Sequence, residues 1–83
     1  MKLKFKLYAG LDQYLPAGAV DHAVLIDVSE DITAHAIIDR FSVPRERAHL
    51  VLVNGEYLHP EQRDQALFRD GDTLAVWPPV AGG

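Results

Sequence analysis

The residues of this chain whose types and spacing could take part in covalent chemistry are its last seven. They are Trp77, Pro78, Pro79, Val80, Ala81, Gly82 and Gly83. Proline fixes φ and has no backbone N–H, so the Pro-Pro pair predicts an extended path that continues neither sheet nor helix. Glycine has no side chain, which lets a backbone approach another surface closely. The Gly83 carboxylate is therefore expected to reach down a narrow channel into a partner's active site.

No other residues form a recognisable catalytic or ligand pattern. The histidines lack metal-ligand spacing, and there is no cysteine to complete a metal site. The internal glycines mark turns, and none belongs to a glycine-rich phosphate loop. We therefore expect no bound cofactor, no metal and no active site that works without a partner.

Composition narrows the classes of function. The chain has 83 residues, enough for one small domain, and a formal net charge of −4 with its Lys and Arg scattered. Nucleic-acid binding is not expected, because it usually requires a basic stripe. No apolar run comes near the roughly 18 residues of a membrane span, and the N-terminus lacks the apolar stretch of a signal peptide. We expect a cytoplasmic protein that binds neither nucleic acid nor membrane.

The elements that must position the tail are mostly strands. Residues 2–8 alternate lysine with apolar residues, which predicts a strand with one buried face. The 50–53 segment is wholly apolar, which predicts burial on both faces or a central place, and the Asn54-Gly55 pair after it is a strong hairpin signal. Further strands are predicted at 23–28, 56–58 and 73–77.

One helix is predicted after the second strand. Thr33 is a suitable N-cap, and Pro44 ends the helix, with Ser42 and Val43 already leaving it. Apolar residues at helical spacing form one stripe between them: Ala34, Ile37, Ile38 and Phe41. Strands arranged around a single helix indicate an α+β domain with the helix packed on one face of the sheet. The predicted core comprises Leu3, Phe5, Leu7, Val24, Ile26, Ile37, Ile38, Phe41, Leu74 and Val76.

The segment 60–68 has no regular period. We expect its charged residues, Arg63 among them, to point outward and Leu67 to point inward. Asp70-Gly71-Asp72 then predicts a turn before the last strand.

Three segments carry a resemblance to a known family. They are Leu52-Val53-Asn54-Gly55, Asp70-Gly71-Asp72 and Pro78-Pro79-Val80-Ala81-Gly82-Gly83. Together with the order of elements, they make the chain similar to the ubiquitin-like β-grasp sulfur carriers, the MoaD/ThiS family. The ending looks more like the small subunit of molybdopterin synthase than like the thiamine-pathway carrier.

The resemblance implies a fold. It implies a β-grasp domain over residues 1–77 and a flexible diglycine tail over residues 78–83. The sheet would be mixed, with four to five strands, and its first and last strands would be parallel neighbours. One group of residues would then share the open face of the sheet: Lys2, Lys4, Lys6, Thr73, Ala75 and Trp77.

The resemblance also implies the chemistry of the tail. A partner activating enzyme would use ATP to adenylate the Gly83 carboxylate, and a sulfur donor protein would supply the sulfur that displaces AMP and leaves a thiocarboxylate. The molybdopterin synthase large subunit is a candidate partner. The sequence agrees in one respect, because no cysteine is present to hold reactive sulfur. Trp77 and the tail residues Pro78 to Gly82 would contact the partner.

Alternatives stay open. The activated Gly83 could instead be joined to a lysine of a target, as in a ubiquitin-like protein modifier. The protein could also serve the thiamine pathway, or be a non-covalent β-grasp binding module whose two terminal glycines are incidental. Trp77 has two interpretations as well: it anchors a partner, or it merely covers the sheet beside the lysine stems.

Overall fold

The first strand is formed by residues 2–7, in which lysine alternates with apolar residues. The apolar side chains lie on the buried face of the sheet and the lysines on the open face. The computed structural model describes residues 1–79, so the predictions for Val80 to Gly83 lie outside the described residues. The elements are β1 (Lys2–Leu7), β2 (Ala23–Asp27), α1 (Ala34–Arg40), β3 (Leu50–Val53), β4 (Glu56–Tyr57) and β5 (Thr73–Trp77). Three 3-10 turns lie between them, at Leu11–Tyr14, Arg45–Arg47 and Pro60–Gln62.

The five strands form one mixed sheet in the order β2-β1-β5-β3-β4. β1 and β5 are parallel neighbours, with Lys4 opposite Thr73 and Leu7 opposite Val76. The other three pairings, β1 with β2, β3 with β5 and β3 with β4, are antiparallel. The predicted mixed sheet with parallel first and last strands is confirmed.

The core lies between α1 and one face of the sheet. Leu3, Phe5 and Leu7 are buried on that face, and Ile37 and Ile38 of α1 are buried against the same cluster. Most of the predicted core is confirmed, although Val24 and Phe41 are only half-buried at its edge. Replacing one large core side chain by alanine in such a domain costs roughly 2–5 kcal/mol of stability. The predicted core did not include Leu11 or Val51, which are also fully buried.

The helix begins as predicted and ends within one residue of the predicted place. The Thr33 hydroxyl accepts a hydrogen bond from the Ala36 N–H at 3.1 Å, as expected of an N-cap. The helix ends at Arg40, and Ser42 adopts a left-handed conformation with φ of 61°. The Val43 N–H then donates to the Ile38 carbonyl at 3.1 Å, so the chain has turned before Pro44.

The Asn54-Gly55 hairpin is joined to the turn before β5. Asn54 and Gly55 have φ of 51° and 84°, the two positive values that a tight type I′ turn requires. The Asn54 side chain donates to Asp72 Oδ1 at 2.8 Å and accepts from the Thr73 N–H at 2.9 Å. Two of the motifs noted in the sequence thus hold the start of β5 in place.

Two predictions are wrong. Leu67, predicted inside, is 48% exposed, and its neighbour Phe68 is buried instead. Arg63, predicted outside, is 7% exposed. Both errors come from an irregular segment that contains a 3-10 turn, where neither a strand nor a helix period tells inside from outside. Of the two alternatives predicted for β3, an interior place holds, since β3 pairs with both β5 and β4, whereas burial on both faces does not, since Leu50 is 38% exposed.

The helices of the described residues are short. Within residues 1–79, no helix has the length and apolar character needed to cross a membrane.

Candidate functional site: the root of the C-terminal tail

The last strand is hydrogen-bonded on both sides up to the point where the tail begins. On one side the Tyr8 N–H donates to the Val76 carbonyl at 3.1 Å, and on the other the His49 N–H donates to the Trp77 carbonyl at 3.0 Å. Pro78 and Pro79 follow, and neither has an N–H that could extend the pairing. We call Val76, Trp77, Tyr8 and His49 the tail root. The sheet therefore holds the backbone in place up to Trp77, and the two residues that follow cannot donate a further strand hydrogen bond.

The side chain of Trp77 stacks on Tyr8. The ring centroids are 4.4 Å apart and the ring planes differ by 9°. The Tyr8 ring also lies 5.3 Å from the His22 ring and 5.3 Å from the Lys6 ammonium. Trp77 is half-buried, so part of its surface is covered within the protein and part remains accessible. The indole of Trp77 therefore packs on Tyr8 over this part of the sheet. Its role as a partner anchor stays a prediction.

The register of the strands shows which residues share the open face with Trp77. Lys4 lies opposite Thr73 and Lys6 opposite Ala75, as the resemblance implied. Further apolar side chains join this face because Leu50 lies opposite Trp77 and Leu52 lies opposite both Ala75 and Tyr57. We call this group the open-face apolar patch: Leu50, Leu52, Tyr57, Ala75 and Trp77.

The open-face apolar patch is accessible at one end of each of two strands, where Leu50 is 38% exposed and Tyr57 is 44% exposed, while Ala75 is buried. Neither exposed residue was predicted, and for Leu50 the reason is that the wholly apolar 50–53 segment favours burial on both faces or a central place. The signal was present in the Asn54-Gly55 hairpin, which pairs Leu52 with Tyr57 and so assigns both residues to the same face.

Charge on the open face is mostly positive, although the whole chain has a net charge of −4. Lys2 is paired with Asp27 at 3.1 Å, and both side chains are largely exposed. For Lys4 and Lys6, no salt bridge is found within residues 1–79. The carboxyl group with a lowered pKa is that of Asp39 on α1, where a hydrogen bond from Arg45 favours the charged form. That ion pair joins α1 to the 3-10 turn Arg45–Arg47 and does not lie on the open face.

Within the described part of the chain, no three His, Asp or Glu side chains cluster closely enough to hold a metal ion. Trp77, Pro78 and Pro79 are the predicted site residues that the structure describes, and they follow one another directly where β5 ends. Val80, Ala81, Gly82 and Gly83 lie outside the described residues. The sequence analysis did not find Tyr8 and His49. Tyr8 could have been found, because it follows Lys2, Lys4 and Lys6 on the same side of the alternating pattern.

A comparison with protein families matches most of the chain. Residues 14–83 match the ThiS family, so the match includes the tail and, of the tail root, His49, Val76 and Trp77 but not Tyr8. The chain is also 37% identical over 62 residues to the molybdopterin synthase sulfur carrier subunit of Drosophila sechellia, which corresponds to 70% of this chain and 69% of that relative.

Solved structures with the same fold support this grouping. The crystal structure of small archaeal modifier protein 1 from Haloferax volcanii superimposes with a TM-score of 0.67 at 28% identity, covering 95% of this chain and 98% of that one. The solution structure of the Haloferax volcanii HVO 2177 protein superimposes with a TM-score of 0.74 at 26% identity, covering 100% of this chain and 87% of that one.

Proposed function

The chain belongs to the ThiS/MoaD family of ubiquitin-like β-grasp proteins, and from that membership we propose that it is a sulfur carrier for cofactor biosynthesis. Its Gly83 carboxylate is adenylated by a partner enzyme and then converted to a thiocarboxylate. The observation that supports this proposal best is the tail root. β5 is bonded on one side up to Val76 and on the other up to Trp77, and two residues without an N–H follow it.

The chemistry divides between the carrier and its partner. A carboxylate is a poor acyl donor because its leaving group would be oxide. In the first step a carboxylate oxygen of Gly83 attacks the α-phosphorus of ATP and pyrophosphate leaves, which gives an acyl adenylate. In the second step a hydrosulfide equivalent from a donor protein attacks the carbonyl carbon and AMP leaves, so a C–S bond replaces a C–O bond. This chain contributes the acyl group and its presentation, and the partner contributes the ATP site.

The pathway we propose is molybdopterin synthesis. The support is the relative named as the sulfur carrier subunit of molybdopterin synthase, at 37% identity. A protein named as a subunit works beside another subunit, so we propose the large subunit of the synthase as one partner. The two chemical steps above require two more, an activating enzyme and a sulfur donor. The open-face apolar patch adjoins the tail root and is the surface on which we propose these partners dock.

A second candidate function is protein modification. In that case the activated Gly83 would form an isopeptide bond with a lysine of a target protein. The observation that favours it is the similarity to a structure named small archaeal modifier protein 1, at 28% identity. The thiamine-pathway carrier and the non-covalent binding module have no comparable observation in their favour.

One experiment tests the proposal and separates the two candidates. The full chain is incubated with ATP, a sulfide source and candidate activating enzymes, and its intact mass is measured. We expect the mass increase that corresponds to replacing one oxygen by one sulfur on the free protein. Conjugates to target lysines in cell extract, without that mass change, would favour the modifier. No adduct with any activating enzyme in either assay would overturn both.

A further inference from the structure

Arg63 is a buried cation to which the proposed function assigns no role. It is 7% exposed and lies just after the 3-10 turn Pro60–Gln62. A buried charge normally sits beside an opposite charge, because removing it from water is costly. Arg63 forms no salt bridge with any carboxylate of residues 1–79. The hydrogen-bond partners of Arg63 are neutral oxygens. We therefore consider which segments these bonds hold together.

The guanidinium of Arg63 joins two separate segments of backbone. Its Nε donates to the Leu58 carbonyl at 3.1 Å. Its Nη1 and Nη2 donate to the carbonyls of Ala48 and His49, each at 3.4 Å. Nη2 also lies 3.4 Å from the Tyr57 hydroxyl. Arginine suits this task because its donors form a rigid planar fork, which lysine cannot reproduce.

His49 connects Arg63 to the tail root. Its carbonyl accepts from Arg63 Nη2, and its N–H donates to the Trp77 carbonyl at 3.0 Å. The Trp77 carbonyl is the last strand-bonded group before Pro78. The stretch Ala48–His49 precedes β3 and follows a 3-10 turn, where the Ala48 N–H donates to the Arg45 carbonyl at 3.1 Å. Arg63 is the side chain that bonds the carbonyls of both residues.

We propose that Arg63 is a positioning residue for the tail, acting through His49 on the Trp77 carbonyl, and this inference rests on the proposed function. A six-residue chain from Pro78 to Gly83 can reach at most about 20 Å. Pro78 and Pro79 restrict the backbone directly after Trp77, so the orientation of the Trp77 carbonyl sets the direction in which the chain leaves β5. Acyl transfer is sensitive to such errors, because a misplacement of about 1 Å can cost about a hundredfold in rate.

The test compares Arg63→Lys and Arg63→Met with the matched exposed variants Arg69→Lys and Arg69→Met. Charging of the full chain by its activating enzyme is measured as kcat and KM for the carrier. We expect the Arg63 variants to lower kcat about tenfold or more while KM changes less, because Arg63 contacts only Tyr57 of the open-face apolar patch and its main effect is on the tail root. Arg69 variants should match the wild type. An unchanged kcat in folded Arg63→Lys would overturn the proposal.

Amide hydrogen exchange supplies a readout that does not depend on charging. If Arg63 holds His49, the His49 N–H in Arg63→Lys loses protection, while the Tyr8 N–H on the other side of β5 keeps it. A merely structural role would lower the protection of both amides together, and that result would overturn the proposal. Failure of the wild type to be charged would count against the proposed function. In that case selective loss of His49 protection would still support the link from Arg63 to Trp77.

Discussion

The ring of Trp77 lies parallel to the ring of Tyr8, with 4.4 Å between their centroids, and joins the end of β5 to the residue that follows β1. The two residues come from opposite ends of the chain and meet because β1 and β5 are parallel neighbours. The stack covers one part of the indole beside the tail root, while Trp77 stays half-buried rather than enclosed.

The first prediction concerns this accessible part of Trp77. Trp77→Ala should weaken binding to the activating enzyme by at least tenfold, since a well-placed interface aromatic contributes about 2 kcal/mol or more. The measurement is a Kd from titration with the partner. Tyr8→Leu is the control, because it removes the stack and leaves the indole in place. Unchanged affinity in Trp77→Ala would mean that the indole only covers the sheet.

The second prediction concerns Gly83. Gly83→Ala and deletion of Gly83 should each abolish charging, because the added methyl group or the missing residue prevents the carboxylate from reaching its position in the partner's active site. Intact mass after incubation with ATP, a sulfide source and the activating enzyme reports the result. Thermal unfolding should be unchanged, and Ala81→Gly, which adds no bulk, should be charged normally. Charging of either Gly83 variant would contradict the proposed site.

The third prediction compares two neighbouring apolar residues. Phe68 is buried and Leu67 is 48% exposed. Phe68→Ala should lower the free energy of unfolding by about 3–5 kcal/mol. Leu67→Ala should change it by no more than about 0.5 kcal/mol. Urea denaturation measures both values, and an equal loss in the two variants would contradict the burial described above.

The fourth prediction concerns the hairpin that holds the start of β5. Asn54→Gly keeps a residue that tolerates the positive φ but removes the bonds to Asp72 and Thr73, so it should cost about 0.5–1.5 kcal/mol for each hydrogen bond lost. Asn54→Ala should cost about 1–2 kcal/mol more, because alanine disfavours the left-handed conformation. Denaturant unfolding of the pair measures the difference. Equal stabilities would show that the backbone conformation contributes nothing.

Local pattern was sufficient to predict most of the fold. Alternation along β1, the Thr33 cap and the Asn54-Gly55 turn each depend on a few adjacent residues, and the structure confirms all three. The parallel pairing of β1 and β5 joins distant segments, and it was predicted only through the family resemblance.

The errors arise where the backbone is irregular or where contacts join distant segments of the chain. No period exists near Arg63 and Leu67, where the backbone is irregular, so charge and hydropathy alone assigned each residue to the wrong side. A charged residue was expected outside, yet the carbonyls of Leu58, Ala48 and His49 provide partners that only the folded chain brings together. The bond from His49 to Trp77 in the tail root could not be predicted either, because it depends on how β3 and β5 align.

The placement of β5 between β1 and β3 has a mechanical consequence. A partner that draws the tail into its active site pulls along the axis of β5. Because hydrogen bonds flank this strand on both sides, up to Val76 next to β1 and up to Trp77 next to β3, the load is applied in shear to both rows of bonds at once rather than opening them one by one. The domain can therefore bear tension at its C-terminal end without the strand peeling away from the sheet.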